Sequence, residues 1–193
     1  MGRRPRLEVP EGYYHVHTRG NDRQDIYFGN WSGRLFVREL ERASRRHGWR
    51  VFAYCLMRNH YHVVLQIRDD LSHGMCELNG RYATISNWVT KRSDHLFGGR
   101  FKSHLIADDT YLLAAVRYVV LNPVRANPRI ERPEHWRWSS MSASLGLAHP
   151  PSCLDTAWLL GHFGQRPHVA RARFREFVLA GVGHPPPVPG TDR

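Results

Sequence analysis

The sequence predicts an α+β fold, in which an antiparallel sheet carries helices on one face and a C-terminal helical extension follows. Three observations lead to this prediction. Four segments have the length and apolar pattern of strands. Three others carry apolar residues at helix spacing. Their order along the chain is strand, helix, strand, strand, helix, strand, helix, which is the ferredoxin-like pattern with one added helix.

Turn, cap and stop residues set the boundaries of these elements. Gly48 stops the first helix, and Asp108 offers an N-terminal cap to the third. Pro123 disfavours helical geometry in the residue before it, so the third helix should end near Asn122. The predicted elements are a strand over 13–18, a helix over 31–47, strands over 51–57 and 60–67, a helix over 74–89, a strand over 102–106 and a helix over 110–121.

The C-terminal part has a helical pattern from Trp138 onward. Ser139 and Ser140 can cap a short first segment, and two more helices are predicted over 154–163 and 169–180. Residues 183–193 are rich in Pro and Gly, which indicates a flexible tail. We therefore divide the chain into a first domain over 1–130 that begins with a basic arm, an extension over 131–182 and a tail over 183–193.

The charge balance favours a polyanionic partner. The chain holds 28 Lys and Arg residues against 17 Asp and Glu, a formal net charge of +11. Most of the cations are arginines, which match phosphate geometry well, so nucleic acid is the first candidate. A genome rich in G and C would explain the choice of Arg over Lys, but it would not explain the net excess.

Membrane insertion and secretion are not expected. No apolar run approaches the roughly 20 residues that span a bilayer. The basic N-terminus is not followed by the apolar stretch of a signal peptide. Cys55, Cys76 and Cys153 stand apart from one another and form no zinc-binding spacing, so we expect reduced core cysteines. These features predict a cytoplasmic protein.

Two histidines on one predicted strand form the first candidate site. His60 and His62 flank Tyr61, and residues two apart on a strand point to the same face, so the two imidazoles could bind a divalent metal together. Tyr61 should point to the opposite face as a packing residue. A pair of this kind is a weak signal by itself, since strand histidines often only pack. His15 and His17 form a similar pair on the first strand.

A tyrosine on the third helix is the second candidate. Tyr118 and Asn122 are four residues apart and therefore share a helix face. A tyrosine hydroxyl can attack a phosphodiester when a metal polarises the phosphate. The alternative is ordinary helix packing for Tyr118 and a capping role before Pro123 for Asn122.

Together these segments resemble one family. Residues 54–62, Tyr-Cys-Leu-Met-Arg-Asn-His-Tyr-His, resemble the HUH motif of single-tyrosine transposases, and 117–126 resemble their tyrosine helix. Residues 97–103, Phe-Gly-Gly-Arg-Phe-Lys-Ser, resemble the family's approach to the last strand. Shorter matches lie in the first strand and at 138–140, Trp-Ser-Ser. The subgroup that the chain resembles most is the REP-associated tyrosine transposases, over about residues 3–181.

The resemblance implies an enzyme that cleaves and rejoins single-stranded DNA beside short hairpins. His60 and His62 would ligate Mg²⁺ or Mn²⁺, with Asn122 as a third ligand. Tyr118 would be the nucleophile and would form a 5′-phosphotyrosine. Residues 1–130 would be the HUH transposase domain. A monomer is favoured, and a homodimer is possible. Two alternatives remain, a DNA-binding regulator that keeps the fold without catalysis and a metallonuclease that uses water as the nucleophile.

The resemblance also has departures, and the DNA contacts follow from charge and position. Arg58 stands where the family often has proline or an acidic residue, and Phe97 where tryptophan is common. Cations of the basic arm, of the first turn and around the proposed site are the candidate DNA contacts. They are Arg3, Arg4, Arg6, Arg19, Arg23, Arg58, Arg100, Lys102, Arg117 and Arg125.

Overall fold

The computed structural model describes residues 8–183 and contains one four-stranded antiparallel sheet. The order of the strands is β2-β3-β1-β4, which is the ferredoxin-like order, so the predicted fold class is confirmed. The elements are β1 Tyr13–Arg19, α1 Asn30–His47, β2 Arg50–Leu56, β3 His60–Gln66, α2 Leu71–Thr90, β4 Lys102–Ile106, α3 Asp109–Ala126, α4 Met141–Ser144, α5 Thr156–Gly161 and α6 Pro167–Leu179.

The sheet carries a separate apolar layer on each face. Tyr61, Val63 and Leu65 of β3 pack in a core with residues of α1 and α2. Val64, from the alternate positions of β3, packs in a second core with α3 and the C-terminal helices. The two helices of the ferredoxin-like unit therefore share one face, as expected. The third helix, α3, lies on the other face of the sheet. There it covers the strand side chains that point away from the core with α1 and α2.

Capping residues place the ends of the helices. α1 ends at Gly48, which adopts the left-handed conformation with a φ of 65°. Asp108 caps α3 by accepting a hydrogen bond from the Tyr111 N–H at 2.8 Å, as predicted. α2 begins at Leu71 rather than at 74, because Asp70 accepts a hydrogen bond from the His73 N–H at 2.8 Å.

The prediction that α3 ends near Asn122 is wrong. The helix continues to Ala126 with Pro123 inside it. Pro123 lacks an N–H donor, but it is buried among the apolar residues of the helix, and the Asn127 N–H bonds to its carbonyl at 3.0 Å. Packing therefore outweighs the local preference, and the last turn of α3 stays helical.

The C-terminal extension lies along the outer edge of β2. The Leu56 N–H donates to the Trp138 carbonyl at 2.9 Å, and the Ser140 N–H donates to the Tyr54 carbonyl at 2.9 Å. Both helices predicted for this part are present, as α5 and α6. No helix among residues 8–183 combines the length and the apolar character needed to cross a membrane.

The three cysteines are free. Cys55 is buried in the second core, and Cys153 is half-buried. Cys76 is exposed on α2, so the expectation of a core position is wrong for this residue. Its neighbours on that side of α2 are small, which leaves its thiol open to solvent.

We expect Gly33→Ala to destabilise the fold by about 1–3 kcal/mol, as overpacking does. Gly33 lies in α1 against the Trp138 indole, and a Cβ there would overlap the ring. Gly80→Ala is the matched control, because a Cβ at this position of α2 meets nothing within 4 Å. The control should gain about 0.5–1 kcal/mol from helix propensity. Urea unfolding measures both, and equal effects at the two positions would contradict the close contact with Trp138.

Candidate active site

Five histidines from three neighbouring strands meet on the α3 face of the sheet. His60 and His62 lie on β3, and their ring centroids are 5.0 Å apart. His17 of β1 is the direct cross-strand partner of His62, and His104 of β4 is the partner of His15. Directly paired residues point to the same side of a sheet. In the sequence His15 and His17 form only a second pair similar to His60 and His62, and no pattern marks His104.

His15 and His62 are joined by a buried hydrogen bond. His15 Nε2 and His62 Nδ1 are 2.9 Å apart, and both side chains are almost fully buried. Burial, followed by the neighbouring His17 and His104, lowers the pKa of His15 to about 3. Burial also lowers the pKa of His62 well below its usual value. Both rings are therefore neutral at pH 7, which is the form of imidazole that binds a metal.

His60 is oriented by Asn59. His60 Nδ1 lies 2.8 Å from Asn59 Oδ1. The Asn59 amide donates to the Arg23 carbonyl at 3.1 Å, so its oxygen faces the imidazole as an acceptor. Nδ1 of His60 must then carry the proton, and Nε2 keeps a free lone pair. Burial and the charge of Arg19 lower the pKa of His60 to about 4.

Tyr118 stands on α3 directly against this histidine cluster. Its ring meets His62 edge-on at a centroid distance of 5.4 Å and His15 at 5.7 Å. Only 5% of the residue is exposed. The guanidinium of Arg125 lies 5.3 Å from the centre of the Tyr118 ring. Arg125 belongs to the last turn of α3, which follows Pro123. The structure therefore brings Tyr118 next to His62 and His15.

Asn122 completes the group. Its Nδ2 donates to the Tyr118 carbonyl at 3.0 Å, and this bond fixes which end of the amide holds the oxygen. The same amide also interacts with His60 and raises the pKa of that imidazole against the effect of burial. The side chain is 8% exposed. Two elements, β3 and α3, thus bring His60, His62, Tyr118 and Asn122 together.

The imidazoles of His60 and His62 would need the Asn122 amide oxygen as a third ligand to hold a divalent metal. No group of three His, Cys, Asp or Glu side chains that could hold a metal is present between residues 8 and 183. Two imidazole nitrogens and the Asn122 oxygen make a mixed set that Mn²⁺ accepts readily and Mg²⁺ less so. In addition, the buried Nε2 atoms of His17 and His104 have no hydrogen-bond partner among the described residues. A polar or cationic group at this face would satisfy them.

Tyr61 points away from the site, as predicted. It is fully buried on the α1 and α2 side of the sheet. The Thr18 hydroxyl donates to the Tyr61 oxygen at 3.1 Å, and the Tyr61 hydroxyl donates to Asn79 Oδ1. Burial raises the pKa of Tyr61. Tyr61 is a packing residue with no path to the histidine cluster.

The proposed DNA-binding cations fall into four groups, and the fourth lies against the C-terminal extension. Arg19, Arg23, Arg100 and Lys102 line one open groove of about 420 Å³ that also reaches His17; we call it the basic groove. Arg58 is exposed and pairs with Asp25 at 3.4 Å. Arg3, Arg4 and Arg6 lie outside the described residues, as does the tail beyond Gly183.

Arg117 and Arg125 are held by the C-terminal extension. The guanidinium of Arg117 lies 4.6 Å from the centre of the Phe177 ring of α6. Arg125 donates to the Gly181 carbonyl at 3.4 Å while it covers Tyr118. Arg117 therefore faces α6 rather than the basic groove. The sequence could not show this, because the position of α6 depends on long-range packing.

Comparison with solved structures supports the fold of this chain. A solved structure of a REP-associated tyrosine transposase bound to a REP hairpin is 16% identical, with a TM-score of 0.62 over 81% of this chain and 93% of that one. At this identity the likeness concerns the fold. A transposase candidate from Deinococcus radiodurans R1 is 14% identical, with a TM-score of 0.43 over 56% of this chain and 89% of that one, and we base no conclusion on it. No curated protein matches the chain.

A family model described as transposase, IS200-like, matches residues 8–121. The match covers more than half of the chain and includes the whole sheet, both histidine pairs and Tyr118. With the fold and the grouping of these side chains, it identifies the chain as a member of the IS200-like transposase family.

Proposed function

We propose that this transposase cleaves and rejoins single-stranded DNA beside short hairpins, with Tyr118 as the nucleophile and a metal bound at His60, His62 and Asn122. The observation that carries the proposal is the meeting of a buried tyrosine with neutral, oriented imidazoles at the end of a basic groove. The hairpin substrate is supported by the structural neighbour, which is bound to a REP hairpin.

In the proposed reaction the Tyr118 oxygen attacks the scissile phosphorus. The phenol loses its proton as the new O–P bond forms, and the 3′ oxygen of the upstream DNA gains a proton as its bond to phosphorus breaks. The products are a 5′-phosphotyrosine and a free 3′-OH. One phosphodiester replaces another, so attack by a 3′-OH reverses the step and rejoins DNA without an external energy source.

The chain's own residues would orient the reactants. His60 and His62 stay neutral because they are buried, and Asn59 and His15 hold their rings in place. A bound Mn²⁺ or Mg²⁺ would supply Lewis acidity at the phosphate. Arg125 would keep the Tyr118 ring against the histidines. The basic groove would hold the phosphates that flank the cleaved bond.

A monomer is the working unit that the geometry favours. Both halves of the site, β3 and α3, come from one chain, and α3 packs on the sheet of that chain. A homodimer that exchanges α3 would have to break this packing, so it stays the alternative.

Since the proposed substrate is DNA and the three cysteines are free, we propose that the protein acts in the cytoplasm.

We expect Tyr118→Phe to abolish the covalent adduct, a loss of at least about a thousandfold, because no other group supplies the attacking oxygen. The assay incubates a single-stranded hairpin, labelled at its 3′ end, with protein and Mn²⁺ and separates the products under denaturing conditions. Tyr61→Phe is the matched control and should keep the adduct, because its hydroxyl only bonds Thr18 and Asn79.

The same assay separates the alternatives. Cleavage by Tyr118→Phe without an adduct would mean a metallonuclease that uses water. Binding of hairpin DNA by the wild type with neither adduct nor cleavage would mean a regulator that keeps the fold alone.

We expect Asn59→Ala to raise the Mn²⁺ concentration needed for half-maximal cleavage by about 10- to 100-fold, as loss of a group that orients a ligand does. Asn59→Asp keeps an oxygen at His60 Nδ1 and should recover most of the affinity. EDTA should stop cleavage by the wild type, and added Mn²⁺ should restore it. Cleavage that is unaffected by EDTA would refute the metal site.

We expect DNA binding to weaken as salt rises. If the four cations of the basic groove each hold a phosphate, log K against log salt should have a slope of about −3 on single-stranded DNA, and Arg100→Ala should make it shallower by about 0.7. Arg45→Ala, an exposed position on the opposite side of the sheet, is the control and should leave the slope unchanged. Fluorescence anisotropy measures both, and a slope near zero would exclude a phosphate-dominated interface.

A further inference from the structure

An apolar groove opens beside the basic groove. It lies between α2 and the loop of residues 95–101 and encloses about 670 Å³, within the roughly 300–1,000 Å³ of ligand sites. Met75 and Leu96 are almost fully buried beneath it, and the half-buried ring of Phe97 also lines it. Nothing in the proposed cleavage chemistry uses this groove.

The walls of this apolar groove are fixed by the fold. The Asn21 N–H donates to the Leu96 carbonyl at 3.0 Å, and the Gly98 N–H donates to the Arg19 carbonyl at 3.1 Å. The Phe97 ring lies 6.1 Å from both Tyr61 and Tyr82. The loop is therefore tied to β1 and to the core. The groove exists before any ligand binds, so binding needs little ordering of the protein.

Small residues of α2 keep the opposite wall open. Cys76, Gly80 and Ala83 follow one another at helix spacing along it. A Cβ at Gly80 would meet nothing within 4 Å. Larger side chains at these positions would fill the space, and the groove would then close against the loop.

The apolar groove is continuous with the basic groove. Asn21, Gly98, Gly99 and Arg100 line both. The basic groove in turn reaches His17, whose ring centroid is 5.4 Å from that of His62. A path therefore leads from the histidine cluster, past a row of cations, to an apolar space. A single strand of DNA has the same arrangement, because its charged phosphates lie beside its apolar base faces. The phosphates would therefore contact the cations while a base enters the apolar space.

We propose that the apolar groove binds an unpaired nucleobase of the DNA strand whose phosphates lie in the basic groove. This rests on the proposed function. Most of the lining is apolar, and two of the polar side chains on the walls are already engaged, because Asn79 contacts Tyr61 and Thr18, and the Ser72 hydroxyl donates to Glu8. The base is therefore held by stacking and burial rather than by hydrogen bonds to its edge, and the groove accepts more than one kind of base.

The first experiment compares two strands with the same phosphates. One is a single-stranded dT 12-mer, and the other is a 12-mer with every base removed. Wild-type protein should bind the first about fivefold or more tightly, the lower end of the effect of stacking one base. Gly80→Leu, which fills the groove, should remove most of this ratio while its affinity for the abasic strand stays unchanged. Thr84→Leu, exposed on the same helix but outside the groove, should keep it.

A second measurement needs no variant. Cys76 is exposed in the groove, whereas Cys153 is half-buried elsewhere and serves as the internal reference. The dT strand should slow labelling of Cys76 by N-ethylmaleimide at least about threefold relative to Cys153, and the abasic strand should not. Equal labelling with both strands, or an unchanged affinity ratio in Gly80→Leu, would overturn the proposal.

The outcomes also separate this proposal from the proposed function. If the wild type forms the Tyr118 adduct but the base contributes nothing through the groove, the groove proposal fails alone. If the base protects Cys76 but no adduct forms on any hairpin, the groove proposal stands and the chemistry fails.

Discussion

The hydrogen bond between His15 and His62 is the interaction on which the rest of the site depends. It can form only if one ring donates and the other accepts, and burial lowers the pKa of both rings, so both imidazoles are neutral at pH 7. The bond joins β1 to β3 on the face that α3 covers, and Tyr118 packs against both rings. Burial therefore does two things at once, since it keeps nitrogen lone pairs available and fixes the surface against which the tyrosine stands.

The C-terminal extension supports the same site from behind α3. Phe177 holds Arg117, and the Gly181 carbonyl holds Arg125, which in turn covers the Tyr118 ring. Two cations that the sequence predicts as DNA contacts thus also contact the C-terminal extension. The position of Tyr118 depends on residues far beyond it in the chain, although the histidines and the tyrosine all lie within residues 8–121.

The local parts of this structure could be predicted from the sequence. Alternation on β3 separates Tyr61 from His60 and His62, and Asp108 caps α3 as expected. The parts that depend on strand register could not be predicted. The sequence of β1 or β4 alone does not determine which residue of a neighbouring strand each residue pairs with. His17 and His104 joined the site through that register. The predicted end of α3 near Asn122 was wrong for a related reason. The packing that keeps Pro123 in the helix comes from other segments of the chain.

The hydrogen bonds between the extension and β2 also bear on how copies of this protein meet. Backbone groups of Val51, Tyr54 and Leu56 are paired with the extension, so this edge of the sheet cannot template an added strand. Among residues 8–183 the edge that remains is β4, which is short and carries the exposed cation Lys102. Polymerisation of sheets needs two free edges on each copy. Here the β2 edge is already hydrogen-bonded to the extension, and only the β4 edge, with its Lys102, is left. The extension thus prevents the sheets of this strongly basic DNA-handling enzyme from adding end to end into a polymer.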